Sequence, residues 1–184
     1  MYIDLSKTLK AIERRLVGED ISTEDLRHAY DNVLRLRSQL LGVIYDLEMF
    51  NSRDDNATLA EKQTSGLAIS DAVVLTIAEP LPSMKELTSA VQEHWVNLIH
   101  TAIDKASWEP ELPFFEKAFV WIEVTTPRGT NNSQLWDTSN RAVNLVINNL
   151  KGTFFADDNL EHMAFGVIGK WSETGSTSVR VLAL

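Results

Sequence analysis

Hydrophobic residues recur every three or four positions through the first part of the chain. Up to residue 16 they form one stripe of an amphipathic helix: Leu5, Leu9, Ile12 and Leu16. Gly18 ends this helix. A second helix begins at Ser22 or Thr23, whose hydroxyl accepts a hydrogen bond from a free backbone N–H, and the acids that follow favour the positive helix end.

The second helix continues the stripe in a seven-residue rhythm that only Arg37 interrupts: Leu26, Tyr30, Val33, Leu40, Ile44 and Leu47. We therefore predict a hairpin of two antiparallel helices over residues 1–50. Neither helix buries its stripe alone, so the pair must pack on something. The hairpin either lies on the C-terminal domain of its own chain or forms a four-helix dimer interface with a second copy. In both cases we expect six residues to be buried, by each other or by another chain: Leu9, Ile12, Leu16, Val33, Leu40 and Ile44.

A polar segment rich in turn formers, residues 51–66, predicts a linker. Beyond it the pattern predicts strands and helices in the order β-α-β-α-β-β. These elements are a strand over 72–77, a helix over 89–106, a strand over 119–124, a helix over 140–150 with Gly152 at its C-terminal cap, and two strands over 163–171 and 178–184 around a turn. Residues 67–184 should therefore form an α/β or α+β domain in which helices cover a small sheet.

Composition narrows the function classes. The chain has no cysteine, which excludes disulfides, thiolate metal sites and cysteine nucleophiles and fits a cytoplasmic protein. No apolar stretch is long enough to span a membrane, and the first residues do not resemble a signal peptide. The net charge of −9 opposes tight non-specific binding to DNA, because such binding depends on neutralising phosphates.

Two acidic positions flank the helix predicted over 140–150. Asp137 precedes it, and Asp158 follows it after two phenylalanines. The next strand lets the chain double back, so the two carboxylates can converge at one edge of the sheet. Paired carboxylates suit Mg²⁺, which could activate water and stabilise the departing oxygen of a phosphodiester. Each acid also has an ordinary interpretation, Asp137 as a helix cap and residues 157–159 as a solvated turn.

The ordered motifs extend this observation. A strand runs into a proline-containing turn at residues 122–127, Asp137-Thr138-Ser139-Asn140 opens a helix, residues 148–150 (Asn-Asn-Leu) close it, and Phe154-Phe155-Ala156-Asp157-Asp158 follows. Together they resemble the RusA family of Holliday-junction resolvases, over roughly residues 70–184. The resemblance implies a small mixed sheet with covering helices. It also implies a homodimer that cuts branched DNA with Mg²⁺, in DNA recombination and repair, using Asp137 and Asp158 as catalytic, metal-binding acids.

The chain departs from the family pattern at three positions. Ser139 replaces the second acid of the family's Asp-x-Asp, Val143 stands where a lysine belongs, and Asn148 or Asn149 replaces the acid near the helix end. Candidates to complete the site are the following residues: Asp157, Glu123, Glu161, Ser139 and Asn140.

Three functions therefore remain open. The chain is a Mg²⁺-dependent, structure-selective endonuclease with a degenerate site, or a non-catalytic RusA-like scaffold that binds a protein partner or junction DNA. In the third interpretation it is a helical adaptor that binds a protein partner through residues 1–50. No membrane partner is expected in any of them.

Overall fold

The computed structural model describes residues 5–17, 21–50, 58–107, 112–127 and 141–184. The chain divides into two compact units. One is Met1–Asp55 with Thr88–Val91, and the other is Asn56–Leu87 with Gln92–Leu184. Among the described residues, no helix combines the length and the apolar character needed to cross a membrane.

The N-terminal unit is a helical hairpin, as the sequence predicts. It consists of α1 (Leu5–Leu16) and α2 (Thr23–Phe50). Thr8 donates to the amide oxygen of Gln39 at 3.2 Å, and Arg15 pairs with Asp25 at 2.9 Å, so the helices run antiparallel. Ser22 caps α2: its hydroxyl accepts from the backbone N–H of Asp25, whose carboxylate accepts from Ser22 in return.

The apolar stripe does not lie between the two helices. Thr8, Ala29 and Leu41 are buried, whereas four members of the predicted stripe stay exposed in the single chain: Leu9, Leu16, Val33 and Leu40. Ile12 and Ile44 are half-buried. The expectation that the stripe residues bury each other is therefore wrong, because the helices meet along a neighbouring line of residues.

The C-terminal unit is built on a five-stranded mixed sheet. Its elements in chain order are α3 (Leu59–Gln63), β1 (Thr64–Ile69), β2 (Ala72–Ile77), α4 (Ser89–Ala106), β3 (Ala118–Pro127), α5 (Val143–Leu150), β4 (Met163–Ser172) and β5 (Ser176–Ala183). The strand order is β1-β2-β5-β3-β4. All neighbouring strands are antiparallel except β3 and β4, which are parallel. The predicted α+β fold class with an N-terminal helical hairpin is confirmed.

The predicted order needs one correction, in the segment predicted to be a linker. Within the predicted linker 51–66, residues 58–66 are ordered: Thr58 and Glu61 form a capping box that starts α3, and β1 follows directly. Residues 51–57 lie outside the described residues. The last two strands do not pair with each other around their turn, because β3 lies between β4 and β5.

Alternation along β3 defines the two faces of the sheet. Ala118, Val120, Ile122, Val124 and Thr126 are buried, and the residues between them are half-exposed. The buried face packs with apolar residues of α4 and α5, among them Trp95, Leu98, Val146 and Leu150. At β1 the approach of α4 is so close that a Cβ on Gly66 would lie 2.7 Å from the backbone nitrogen of Ala106.

Candidate functional site

The predicted acids lie around the unit β3–α5–β4. Helix α5 ends at Leu150, and Gly152 follows the cap residue Lys151 with φ of +80°, the left-handed conformation that glycine adopts without strain. The predicted cap is thus confirmed. Phe154 and Phe155 are fully buried, and the carbonyl of Phe154 accepts from the N–H of Phe115 at 2.7 Å. These contacts anchor the loop that presents the two aspartates.

Lys151 holds both aspartates of this loop. Its Nζ lies 3.1 Å from Oδ1 of Asp158 and 3.4 Å from Oδ1 of Asp157. All three side chains are between 37% and 47% exposed, so the cluster stands at the surface of the unit. The main effect of this geometry is to neutralise part of the negative charge of the Asp-Asp pair.

The pKa values reflect these contacts. The hydrogen bond to Asp158, and then the one to Asp157, raise the pKa of Lys151 above its usual value. The pKa of Asp157 is lowered, first because its carboxylate accepts from the backbone N–H of Asp158 at 2.9 Å. Both shifts favour the charged forms, so Lys151 and Asp157 are ionised at neutral pH.

The two aspartates differ in how free their oxygens are. Oδ1 of Asp157 accepts from Lys151 and from the N–H of Asp158, and its Oδ2 accepts from the side-chain amide of Asn159 at 2.9 Å. Both carboxylate oxygens of Asp157 therefore accept hydrogen bonds that stabilise the turn. Among the described residues, none donates to Oδ2 of Asp158. Asp158 thus presents a free, exposed oxygen that fits a hard cation.

Glu161 lies in the same loop. Its backbone N–H donates to Oδ1 of Asn159 at 2.9 Å, which closes the turn three residues after Asp158. Its side chain is exposed, and no partner for the carboxylate is found in the described part of the chain. Glu161 is consequently available as an oxygen ligand.

Glu123 lies elsewhere. It occupies the half-exposed face of β3, opposite the face that carries the core, and pairs with Lys170 of β4 at 2.6 Å. Its position on this face and its pairing with Lys170 both keep Glu123 away from the Asp157–Asp158 loop. The structure does not bring Glu123 together with the other candidate ligands.

Asp137, Ser139 and Asn140 lie outside the described residues, so the predicted meeting of Asp137 with Asp158 stays a prediction. The described chain resumes at Arg141, whose Nη1 donates to the carbonyl of Leu81 at 2.6 Å. From there the eight residues of α5 span about 12 Å before the Asp158 loop begins. Four extended residues reach at most about 14 Å. The carboxylates can therefore share a cation only if residues 137–140 run back along α5.

The family's lysine and helix acid have no direct substitutes on α5. Val143 is buried in the core of the unit. Oδ1 of Asn149 accepts from Nε2 of His100 of α4 at 2.9 Å, and the side-chain amide nitrogen of Asn149 donates to the carbonyl of Leu145. Asn144 and Asn148 are exposed and lie about one turn apart on the polar face of α5.

No set of three His, Asp or Glu side chains that could hold a metal occurs in the described ranges. Within those ranges, the loop supplies one suitable carboxylate, Asp158, with Glu161 nearby. Sequence reasoning missed Lys151 as a member of this cluster. The available signal was its place one residue before the capping Gly152, because such a glycine turns the chain back towards the helix end.

No protein-family model matches this chain, and no match to it was found among curated proteins.

Proposed function

We propose that the chain is a RusA-like, Mg²⁺-dependent, structure-selective endonuclease with a degenerate site and weak cleavage activity. The observation that carries the proposal is the β3–α5–β4 unit, in which the loop after α5 presents Asp158 with a carboxylate oxygen that accepts from no described residue. This is a position that the resemblance assigns to a metal-binding acid. The substrate that follows from the resemblance is branched DNA, with a four-way junction as the reference substrate.

The contacts of the described residues support an order of preference among the ligands that could complete the site. The carboxylate of Asp157 is hydrogen-bonded within the turn, and Glu123 is paired with Lys170 on the face of the sheet opposite the core. Glu161 is exposed, lies in the Asp158 loop and keeps its carboxylate available. We therefore assign the metal to Asp137 and Asp158, with Glu161 as the leading third ligand. Mg²⁺ bound there would supply an activated water and stabilise the departing oxygen of a phosphodiester.

Lys151 would supply the positive charge that Val143 cannot. Its ammonium stands beside Asp158, with the raised pKa that keeps it charged. A cation next to the metal ligands would attract the scissile phosphate, and electrostatic stabilisation of this kind usually contributes most to the rate enhancement of an enzyme. The same lysine competes with a cation for Asp158, which is one physical reason to expect weak activity.

The test is cleavage of a synthetic four-way junction by the full chain, with Mg²⁺ or Mn²⁺. We expect slow, metal-dependent cutting that Asp158→Asn abolishes. Asp104→Asn is the matched control, because it makes the same charge change at an exposed position on α4, which is not part of the loop. Cutting that Asp158→Asn leaves unchanged would contradict the proposed site.

The second candidate is a non-catalytic RusA-like scaffold. It is favoured by the ion pairs between Lys151 and both aspartates, which satisfy the loop without any metal. In that case the wild-type chain cuts no junction under either metal. Mn²⁺ then leaves the amide signals of residues 157–161 unbroadened in NMR spectra, whereas a metal-binding site broadens them.

A further inference from the structure

The contact between α1 and α2 follows one line of residues on each helix. On α1 this line passes through Thr8 and Arg15, and on α2 it passes through Asp25, Ala29 and Gln39. These residues are hydrogen-bonded across the pair or buried. They fix which side of each helix faces the other.

Large apolar residues occupy the position directly after each contact residue. Each step along a helix turns the side chain by about 100°. Because both helices are right-handed and run in opposite directions, a one-residue step turns the side chains of both helices to the same side of the hairpin. The residues that follow the contact line are Leu9, Leu16, Leu26, Tyr30 and Leu40. They therefore share one face.

Two further residues, Val33 and Leu47, continue this row along α2. We call the seven residues the hairpin apolar face: Leu9, Leu16, Leu26, Tyr30, Val33, Leu40 and Leu47. Each is between 41% and 55% exposed. Since a large side chain presents on the order of 200 Å², the face leaves on the order of 700 Å² exposed. That is more than a typical monomer exposes in one patch.

The size and shape of this face fit one occupant. We propose that a second copy of this chain covers the hairpin apolar face, so that two hairpins form a four-helix bundle. The exposed area matches the roughly 800 Å² that each partner contributes to a stable interface of standard size. A two-fold interface uses the same patch twice, and a flat two-helix face with a seven-residue rhythm meets that requirement.

Charge supports the same arrangement. Helix α1 carries four basic residues and one acidic residue, whereas α2 carries five acidic and three basic ones. In a bundle whose two-fold axis runs along the helices, α1 of one copy lies against α2 of the other, so charges of opposite sign meet. Arg37 occupies a position in the apolar row of α2, and a polar residue at one such position fixes the register of paired helices.

The experiment measures the mass of the full chain by light scattering and sedimentation across a dilution series. We expect the wild-type protein at twice its 20.7 kDa chain mass. Val33→Glu with Leu40→Glu should give the single-chain mass, because it places charges in the middle of the face. Leu160→Glu is the matched control, since this leucine is 91% exposed outside the hairpin and its change should leave the dimer intact.

A milder pair, Val33→Ala with Leu40→Ala, keeps the helix and should weaken dimerisation by at least about tenfold. If the glutamate variant unfolds, this alanine variant still tests the proposal. A wild-type chain that stays at 20.7 kDa over the whole series overturns the proposal, because another segment or another protein then covers the face. A dimer that survives both paired variants also overturns it, because its interface then lies elsewhere.

Discussion

The ammonium group of Lys151 lies 3.1 Å from Oδ1 of Asp158, across the turn that joins α5 to β4. The two side chains come from opposite ends of an eight-residue segment, 151–158, that Gly152 reverses. The contact joins the end of α5 to the loop that precedes β4. A change in this contact therefore indicates a change in the candidate site.

The titration of Asp157 should follow from this cluster. Its pKa is lowered from 3.8, so its carboxylate stabilises the turn above that pH and loses the effect as the pH falls through the lower, folded value. Lys151→Ala should move the pKa of Asp157 upwards, because it removes one hydrogen bond to the carboxylate. NMR titration of the side-chain carboxyl checks this, and an unchanged pKa in the variant would mean that Lys151 does not hold Asp157 in solution.

Lys151 has the opposite pH dependence. Its pKa is raised from 10.5, so its contribution to the turn is complete below that pH and is lost as the pH rises through the higher, folded value. Between these two limits Lys151 and Asp157 both stay ionised. We therefore expect little change in the amide chemical shifts of these two residues from about pH 5 to pH 9.

Removing the lysine should separate metal binding from chemistry. Lys151→Ala frees Oδ1 of Asp158, so Mn²⁺ affinity should rise by several-fold, as measured by paramagnetic broadening of the loop amides. Junction cleavage should fall in the same variant if the lysine attracts the scissile phosphate. Lys151→Arg keeps the charge and should change both quantities less. A rise in cleavage with Lys151→Ala would show that the lysine only competes with the metal.

Gly66 and Gly42 form a natural pair for testing how closely α4 packs on the sheet. A Cβ at Gly66 would meet the backbone of Ala102 and Ala106, so Gly66→Ala should lower the free energy of unfolding by about 1–3 kcal/mol. At Gly42, within α2, nothing lies within 4 Å of the added atom, and alanine should stabilise by about 0.5–1 kcal/mol. Chemical denaturation of both variants measures the difference. Equal effects would contradict the close approach at β1.

Restoring the family's lysine at its own position should fail. Val143 is 7% exposed, so Val143→Lys buries a charge in the first turn of α5 and should destabilise the unit by about 1–3 kcal/mol. Asn144→Lys introduces the same residue at the next, exposed position and should be nearly neutral. Thermal unfolding compares the two. A stable Val143→Lys variant with increased cleavage would show that α5 can rotate to present this residue.

The sheet and its helices could be predicted wherever periodicity was strong. The alternation along β3 and the apolar faces of α4 and α5 are local properties, and the structure bears them out. Strand β1 was missed because Thr64, Ser65 and Gly66 are ordinary turn formers. Gly66 is present because α4 approaches it, a long-range reason that no local pattern reveals. The start of α3 could have been predicted from the capping box of Thr58 and Glu61.

The site was predictable only in part, for a related reason. Asp157 and Asp158 follow a buried aromatic pair, and this order placed them correctly at a turn after α5. The cation with which a carboxylate pairs depends on distance in the folded structure. The contact of Lys151 with Asp158 and the pairing of Glu123 with Lys170 therefore could not be predicted from the spacing of these residues along the sequence. The strand pairing could not be predicted either. Strands that are adjacent in sequence usually pair, whereas β4 and β5 do not.

The central position of β5 has a consequence for how the sheet is assembled during synthesis. In the part of the chain that the structure describes, the β1–β2 hairpin and the β3–α5–β4 unit share no strand pairing, and β5 joins them by pairing with β2 on one side and β3 on the other. It is also the last of these elements to leave the ribosome. Until then the nascent chain carries two unjoined edges, β2 and β3, which makes it prone to aggregation. The pairing of Ala72 with Leu182 further closes a very long loop, so the joining step should be slow compared with hairpin formation.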